Sequence, residues 1–579
     1  MKGPASKTLG MVDEVLTVEG YRLWGAASGA SLVYSVGHLD PRLVASDLSG
    51  RRETVIVAGL VEHVAVDPES DWIIYVLTLP NGRQFVEAYN INSDERVRIL
   101  GVDRRSITGL AWNQGVGAVS ISYRNNTEVK VFTVGSFSID VGIKLDGHII
   151  VESINRDYII GVTASGEGRT ELGIIPINGG RLSRVTASPG NTNKMPKARD
   201  GVVSFVSGRI TEEIYILDLE SMTASPASQG YRDYSGDRIY EVIDYGWADD
   251  RLWVIGRGSR GIMVYLDGKR ILEPGKGIGT PRRGAWVKGK LVIEHSTVAN
   301  PPSLALTEVN NTKAKTPRNI RGGSVVTGLA KARSSMIYVE SGSLRIPVFK
   351  AEPPNTHSPA PTILYIHGGP WDRVEDSWNP YIALLLQLGF RVIAPNYRGS
   401  MGEGLHFASL SLGDPGGGDL DDVLAVARWA RSRGLASELH LLGIGYGGYL
   451  ALLAASREKR LFETVAAISP IVDWEDIESS DHEAAVTVNT LFRGSHELMK
   501  SRSLLNTGYS IEAPVLIIQH GRGHHRKSGK ILEYVGRLLG EGARVELHLL
   551  PTGYPTIGRG LLQTLLTLAM FLSRGDWLR

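Results

Sequence analysis

Hydrophobic and polar positions along the chain follow two different patterns, and the change between them lies near residue 322. From about Leu23 to Arg321, short alternating or β-branched runs are separated by Gly, Asn, Asp and Pro. Runs such as SLVYSVGHL and GAVSISYRNNTEVKVFTV are typical of strands joined by tight turns. From about Val325 onwards, apolar strand runs alternate with amphipathic helices. The sequence therefore predicts two domains of different architecture.

The strand-rich region, residues 23–321, repeats at a period of about 40 residues, which is typical of propeller blades. A single four-stranded unit cannot bury both faces of its sheet, whereas a closed ring of units can. We therefore predict a seven-bladed β-propeller, with a pair of β-sandwiches as the alternative. The units begin near Tyr21, Val61, Ile107, His148, Asn191, Tyr240 and Ile278.

Residues 322–579 alternate strand and helix patterns. TILYIHGGP and FRVIAPNYRG are buried-strand runs, DLDDVLAVARWARSRG is an amphipathic helix that ends at glycine, and a last helix spans about Gly560–Leu572. This order predicts a doubly wound, mostly parallel sheet that is covered by helices on both faces. Residues 1–22 are predicted to form a helical extension that packs on this domain, and Glu352–Thr362 is predicted to be a proline-rich surface loop.

A strand, a glycine turn and an apolar helix follow one another in LLGIGYGGYLALLAAS, from Leu441 to Ser456. The strand is predicted over Glu438–Leu442. In α/β-hydrolases this arrangement is the nucleophile elbow, G-x-S-x-G, where a serine occupies a strained turn. Here Gly445 occupies the serine position. The turn is predicted to be present without its nucleophile.

Composition excludes several classes of function. A net charge of +2 gives no electrostatic argument for nucleic acid or an anionic membrane as partner. No apolar run approaches the roughly 18 residues of a membrane helix, and the first residues lack the apolar core of a signal peptide, so we expect a cytoplasmic protein. With no cysteine there is no disulfide or thiolate metal site, and we expect no cofactor. The same lack of thiols in an Arg- and Gly-rich chain weakly indicates a thermophile.

Five sequence blocks in the second domain carry a family resemblance. The blocks are HGGP (His367–Pro370), NYRGS (Asn396–Ser400), GDPGGGDLDDV (Gly413–Val423), GYGGY (Gly445–Tyr449) and VDWED (Val472–Asp476). With the propeller before them, they resemble the prolyl oligopeptidase family, and most of all its archaeal acylaminoacyl peptidases. The resemblance implies that an α/β-hydrolase domain follows the propeller. It also implies a peptidase that cleaves N-acylated residues from short peptides through a serine–histidine–aspartate triad, and that forms dimers.

The resemblance also implies the site residues. The catalytic serine, aspartate and histidine positions carry Gly445, His524 and Pro555. No aspartate lies between residues 482 and 575, and the last histidine, His548, precedes the expected loop. Loss of one triad member alone costs turnover on the order of 10⁴–10⁶. We therefore predict a catalytically inactive pseudopeptidase.

Other features of the resemblance concern binding. The backbone N–H groups of Gly369 and Tyr446 are the expected oxyanion donors, and Arg526 is placed to hold a substrate carbonyl. Trp371 is expected either to line an acyl or side-chain pocket or to pack under the propeller. The predicted partners are short or N-acylated peptides, and a second copy of the chain or an active paralogue.

Relocated or metal-assisted hydrolysis is the alternative to inactivity, as is a regulatory role beside an active paralogue. His520, His524 and His525 share one loop and could ligate a metal, but Arg522 and Arg526 beside them favour a solvated basic loop. Other serines near the expected cleft have no identifiable base in the sequence and are interpreted as loop or capping residues. They are Ser400, Ser479 and Ser480.

Overall fold

The chain forms two compact units in its computed structural model. One unit comprises residues 20–295 and 302–323, and the other comprises residues 1–19, 296–301 and 324–579. The structure describes residues 4–573, apart from short stretches at 104–105, 124–125, 166–168, 187–190, 210, 228–230, 232–235, 237, 259–260, 274, 276–277, 311–312, 323–324, 480–481, 509, 522–527, 552–554 and 556–557.

The first unit is a seven-bladed β-propeller built from antiparallel sheets, which confirms the predicted fold and excludes the sandwich pair. Blade 1 contains β1 (Tyr21–Ala27), β2 (Ser31–Val36), β3 (Arg42–Ser46) and β4 (Glu53–Ala58). Blade 2 contains β5 (Leu60–Val66), β6 (Trp72–Thr78), β7 (Gln84–Asn90) and β8 (Arg96–Val102). Blade 3 contains β9 (Ile107–Asn113), β10 (Val116–Ser122), β11 (Asn126–Thr133) and β12 (Ile139–Asp146).

Blades 4 to 7 repeat this arrangement. Blade 4 contains β13 (Ile149–Ile154), β14 (Tyr158–Ser165), β15 (Arg169–Pro176) and β16 (Ser183–Val185). Blade 5 contains β17 (Thr192–Arg199), β18 (Val202–Gly208), β19 (Glu212–Asp218) and β20 (Thr223–Pro226). Blade 6 contains β21 (Glu241–Ala248), β22 (Arg251–Gly258), β23 (Gly261–Leu266) and β24 (Lys269–Leu272). Blade 7 contains β25 (Thr280–Val287), β26 (Lys290–Ser296), β27 (Ser303–Asn310), β28 (Lys313–Ala314) and β29 (Arg318–Arg321).

The first strand of each blade lies innermost, and β1 contacts β25, so the ring closes between blades 1 and 7. Apolar side chains fill the space between neighbouring blades. At the closure, Leu23 and Val44 of blade 1 pack with Val292 and Leu304 of blade 7, all almost fully buried. Each blade thus covers one face of the next, which is the physical reason for the repeat seen in the sequence.

An eight-stranded sheet forms the core of the second unit, in the order β30-β31-β33-β32-β34-β35-β36-β37. The first three strands in this order pair antiparallel, and the remaining pairs are parallel. The strands are β30 (Arg333–Ser341), β31 (Leu344–Glu352), β32 (Ala360–Ile366), β33 (Arg391–Pro395), β34 (Ala436–Ile444), β35 (Val465–Ile468), β36 (Val515–His520) and β37 (Val545–Leu550).

Helices connect and cover these strands. The central α5 follows β34 directly and is buried along most of its length. Helix α1 packs on α2 and α10 in the same unit. The helices are α1 (Pro4–Thr17), α2 (Pro380–Gln387), α3 (Leu405–Ala408), α4 (Gly418–Ser432), α5 (Tyr446–Arg457), α6 (Trp474–Glu478), α7 (His482–Phe492), α8 (His496–Arg502), α9 (Ser528–Gly540) and α10 (Gly558–Leu572).

The strand order reverses direction at β32, which lies between β33 and β34. In open α/β sheets the loops at the carboxyl ends of strands diverge at such a point and leave a crevice for a ligand. The HGGP segment follows β32, and the glycine turn follows β34. The fold therefore places both segments at one edge of the sheet.

Element bounds differ from the sequence predictions by a few residues. The elbow strand β34 is longer than Glu438–Leu442, and α10 begins two residues before Gly560. Only residues 353–359 of the predicted Glu352–Thr362 loop lie outside strands, because β31 and β32 extend into it from both sides.

Candidate active site

The turn between β34 and α5 has the shape of a nucleophile elbow. Gly445 lies at its apex with φ 59° and ψ −116°, a conformation that L-residues rarely adopt. Its N–H donates to the carbonyl of Ile468 at 2.9 Å, which fixes the turn on β35. A Cβ atom at Gly445 would have no neighbour within 4 Å in the described part of the chain. No described residue therefore obstructs the position of the missing serine.

The two outer glycines of the elbow have a different role. A Cβ atom on Gly443 would lie 2.1 Å from the carbonyl oxygen of Gly447. One on Gly447 would lie 2.1 Å from the carbonyl oxygen of Ile366 and 2.4 Å from that of His367. These backbone contacts leave no room for a side chain. Glycine is thus required at both positions for packing, whereas the residue between them is sterically unconstrained.

The predicted oxyanion donors lie on the two segments that meet here. The approach of Gly447 to Ile366 and His367 brings the HGGP segment against the first turn of α5. The amide of Tyr446 belongs to that first turn, where N–H groups have no acceptor within the helix. Gly369 has φ 110°, a conformation that favours glycine. Backbone amides of this kind can stabilise a negative charge without any catalytic side chain.

The phenol of Tyr446 points into the core. Its hydroxyl donates to Asp419, and both side chains are almost fully buried. The ring packs against Tyr397, Tyr449 and Trp474, with centroid distances of 6.1, 5.6 and 5.8 Å. Burial raises the pKa of the Asp419 carboxyl to about 6 and raises the pKa of Tyr446 well above its ordinary value. Tyr446 therefore cannot replace a nucleophile from the elbow.

Sequence reasoning missed the buried pair formed by Ser400 and His367. The Oγ of Ser400 lies 2.9 Å from Nε2 of His367, so the interpretation that Ser400 has no base nearby was wrong. Ser400 is nevertheless fully buried and donates to the carbonyl of Tyr397 at 2.7 Å. Burial also lowers the pKa of His367, whose ring stacks on Tyr397 at 4.4 Å. A substrate carbonyl cannot reach this hydroxyl, so the pair joins two loops rather than forming a nucleophilic site.

The predicted acid and base positions are only partly described. His524, His525 and Arg526 lie outside the described residues. Pro555 is described, and its carbonyl accepts a hydrogen bond from the Tyr381 hydroxyl at 2.6 Å. A proline side chain has no titratable group, so it can supply no general base.

His520, the first member of the predicted histidine cluster, ends β36 and is buried. Its Nδ1 lies 3.0 Å from Ser469 Oγ, and its Nε2 lies 2.9 Å from Thr564 Oγ. Both ring nitrogens are thus engaged with hydroxyl groups inside the domain. In the part of the chain that the structure covers, no three His, Asp or Glu side chains lie together as metal ligands.

Trp371 is fixed by the short helix α3, since its indole N–H donates to the carbonyl of Ala408 at 3.1 Å. The indole is only partly buried. The two predicted roles of this side chain stay predictions. Ser479 is exposed and bonds the carbonyl of Asp476 at the end of α6, while Ser480 lies outside the described residues.

The remaining motif residues hold loops in place. Arg398 grips the buried Asp422 with two nitrogens, at 2.9 and 2.7 Å. Asn396 exchanges two hydrogen bonds with the backbone of Val374, at 2.8 and 2.9 Å. These contacts tie the NYRGS segment to the GDPGGGDLDDV segment and to the loop that carries Val374. Their side chains thus shape the crevice and do not form its reactive part.

Comparison with known proteins places this geometry in a family. Residues 375–523 match the model of the prolyl oligopeptidase family, and residues 54–305 match that of an acylamino-acid-releasing enzyme-like N-terminal domain. The chain carries a peptidase domain of the prolyl oligopeptidase family. Dipeptidyl aminopeptidase BIII of Pseudoxanthomonas mexicana is 34% identical over 97 residues, which are 16% of this chain and 14% of that protein. Across several curated relatives, the aligned part spans 14% to 40% of their length.

Solved structures of prolyl oligopeptidase relatives share the fold over nearly the whole chain. The acylaminoacyl peptidase of Pyrococcus horikoshii superposes with a TM-score of 0.73 at 15% identity, covering 97% of this chain and 96% of that one. An acylaminoacyl peptidase in complex with Z-Gly-Gly-Phe-chloromethyl ketone superposes with a TM-score of 0.73 at 15% identity, covering 96% of each chain. At this identity the likeness concerns the fold alone. Among the described helices, none has the length and apolarity needed to cross a membrane.

Proposed function

We propose that this member of the prolyl oligopeptidase family is a catalytically inactive pseudopeptidase that binds short or N-acylated peptides. The observation that carries the proposal is Gly445 at the apex of the elbow. An acyl transfer needs a nucleophile at that point, and glycine has no side chain to supply one. Neither neighbour replaces it, because Ile444 is apolar and the Tyr446 hydroxyl is bonded to Asp419 in the core.

The sequence also has no suitable residue at the positions of the catalytic acid and base. His524 at the acid position carries no negative charge with which to stabilise an imidazolium, and Pro555 at the base position has no titratable group. Triad members act as a unit, so restoring one of them alone returns little activity. Replacement of all three triad residues supports the loss of hydrolytic activity rather than a change of substrate or rate.

Peptide binding is supported by what the site retains. The space above Gly445 is unfilled by any described residue, and the HGGP segment packs against the first turn of α5. Backbone amides at the start of a helix are suited to a carbonyl or carboxylate oxygen. One structural relative of the same fold holds a peptidyl chloromethyl ketone. A peptide carbonyl bound to these amides would be held without being cleaved.

Hydrolysis assays test the loss of activity. The purified protein is incubated with acyl-amino-acid p-nitroanilides, p-nitrophenyl esters and a fluorophosphonate probe. We expect no turnover above buffer and no covalent label, since the described site holds no activated hydroxyl. Stoichiometric labelling located by mass spectrometry on any side chain of this domain would refute the proposal. An activity lost on adding a chelator would instead support the metal-assisted alternative.

Binding is tested with a steric block at the open position. Calorimetric titration with N-acetylated tripeptides should give saturable binding to the wild type. Gly445→Leu would place a branched side chain in the open space and should weaken affinity by about tenfold or more. Gly445→Ala is the matched control, since it imposes the same backbone strain and adds only one carbon. Equal affinities for the two variants would show that the peptide does not occupy this position.

A further inference from the structure

The closure between blades 1 and 7 carries a cluster of polar side chains that belongs to the propeller and has no part in the candidate active site. Arg22 and Trp24 lie on the innermost strand β1, and Arg283 lies on the neighbouring innermost strand β25. The guanidinium carbon of Arg22 is 4.1 Å from the centroid of the Trp24 ring, and that of Arg283 is 5.3 Å from the same ring. Two guanidinium groups therefore share one indole.

Trp24 is held in a fixed position beneath these cations. Its indole N–H donates to Ser35 Oγ at 2.7 Å on the adjacent strand β2. The pairing of β1 with β2 shifts register between Leu23 and Gly25, so Trp24 has no direct partner across the strand pair. This bulge allows the indole to serve as a platform for both arginines.

Negative charge in the cluster is limited. The carboxylate of Glu294 accepts the N–H of Leu23 at 2.8 Å and lies 3.8 Å from Arg283, and it is buried. Glu62 of blade 2 is engaged by Thr78 at 2.5 Å and Gln84 at 2.8 Å. No described carboxylate lies within 4.0 Å of the Arg22 guanidinium. The arginines thus outnumber the carboxylates that contact them.

Inner-strand cations of another blade provide a contrast. On β17 of blade 5, Lys194 forms an ion pair with Glu212 at 2.8 Å, and Lys197 forms one with Asp244 at 3.2 Å. Arg22 lacks such a pair although its side chain is exposed. Loss of water around the guanidinium, followed by the positive charge of Arg283, lowers the pKa of Arg22 to about 10, against the opposing attraction of Glu294 and Glu62. Like charges held at one place are stabilised by an added anion.

We propose that Arg22 and Arg283, supported on Trp24, form a binding site for a carboxylate group. Guanidinium groups present planar pairs of donors that match the two oxygens of a carboxylate, and the exposure of Arg22 leaves these donors accessible. The carboxylate could belong to a free dicarboxylic acid or to an acidic peptide, and both share this chemistry. The proposal does not depend on whether Gly445 abolishes hydrolysis, because the site lies wholly within the propeller unit.

The test measures binding and heat stability of the full chain at low ionic strength. Succinate, an N-acetylated Glu-containing tetrapeptide and its Gln counterpart are titrated into wild type, Arg22→Gln and Arg283→Gln by calorimetry. We expect the two acids to bind the wild type and the Gln peptide to bind at least about tenfold more weakly, as expected for loss of a charged hydrogen bond. Each substitution should weaken acid binding by a similar factor, whereas Arg52→Gln, an exposed control in the same blade, should not.

A second readout separates binding from a purely structural role. Adding succinate should raise the unfolding temperature of the wild type and raise that of Arg22→Gln less, since ligand binding to the folded state stabilises it. Without succinate, Arg22→Gln loses the repulsion from Arg283 but also the contact with Trp24 and the attraction of Glu294 and Glu62, so its unfolding temperature should lie close to that of the wild type. Tighter binding of the acidic peptide than of succinate would support a peptide source, and the reverse a free acid. Equal binding of the Gln peptide, no response of the wild type, or an equal response of both proteins would overturn the proposal.

Discussion

Gly445→Ser is the most direct test of the idea that the elbow keeps its shape without its chemistry. The new side chain enters open space, since a Cβ atom at Gly445 meets no described atom within 4 Å. The cost is therefore conformational and arises from φ 59° in a residue that has a Cβ. That strain amounts to about 1–3 kcal/mol, and reduced freedom of the unfolded chain offsets about 0.4–1 kcal/mol of it.

The net effect should be destabilisation by about 1 kcal/mol, which corresponds to about 2–4 °C in unfolding temperature for a domain of this size. Differential scanning calorimetry measures the shift, and a fluorophosphonate probe reports whether the new hydroxyl is activated. We expect no labelling, because Pro555 still supplies no base.

Gly447→Ser is the matched control, since its Cβ would lie 2.1 Å from the carbonyl oxygen of Ile366. Backbone atoms cannot move aside cheaply, so this variant should lose about 3 kcal/mol or more or fail to fold. If Gly445→Ser were destabilised as strongly as Gly447→Ser, the open space at the apex would be disproved. Rapid labelling of Ser at position 445 would show that a base is present after all.

Three further predictions concern the hydrolase unit. Burial raises the folded-state pKa of Asp419 to about 6, above the ordinary carboxyl pKa near 3.8. Its contribution to the free energy of unfolding is therefore fully present below pH 3.8 and is lost as pH rises through 6. Asp419→Asn should flatten the dependence of unfolding temperature on pH between 4 and 7. Arg391→Met removes a guanidinium that is 1% exposed and 2.8 Å from Glu352, and should lower the free energy of unfolding in denaturant by about 3 kcal/mol. Arg428→Ala, in an exposed ion pair, should lower it by less than about 1 kcal/mol. Similar losses in the two variants would contradict the role of burial. Asn379 caps α2, so Asn379→Ala should lower stability by about 1 kcal/mol and Asn379→Asp should restore it; failure of that rescue would count against capping.

Local sequence patterns predicted the start of the first strand in each propeller blade to within about two residues. β1 and β9 begin at the predicted Tyr21 and Ile107, and β25 begins at Thr280 rather than Ile278. The reason is that hairpin turns and alternating side chains record strand boundaries directly. The strand–glycine–helix signal of the elbow was equally local, and Gly445 indeed lies between β34 and α5.

Contacts between distant residues could not be predicted in this way. The Tyr446–Asp419 and Ser400–His367 pairs join residues 27 and 33 positions apart. Such pairing depends on how loops meet at the sheet edge, which no period in the sequence encodes. The Ser400 case shows the consequence, since a serine without a base in the sequence lies beside one in space. The predicted roles of Trp371, Arg526 and His524 stay predictions.

The chain passes several times from one unit to the other, and this limits which fragments can be expressed on their own. Residues 1–19 and 296–301 belong with residues 324–579, although propeller strands separate them in sequence. A fragment starting at residue 324 would lack α1, whose Val12, Val15 and Leu16 are buried in the intact chain. The surfaces of α2 and α10 that α1 contacts would then face water, and such apolar patches promote aggregation. A soluble hydrolase fragment would therefore need α1 joined to it by a new linker, and failure to express residues 324–579 alone would reveal nothing about the elbow.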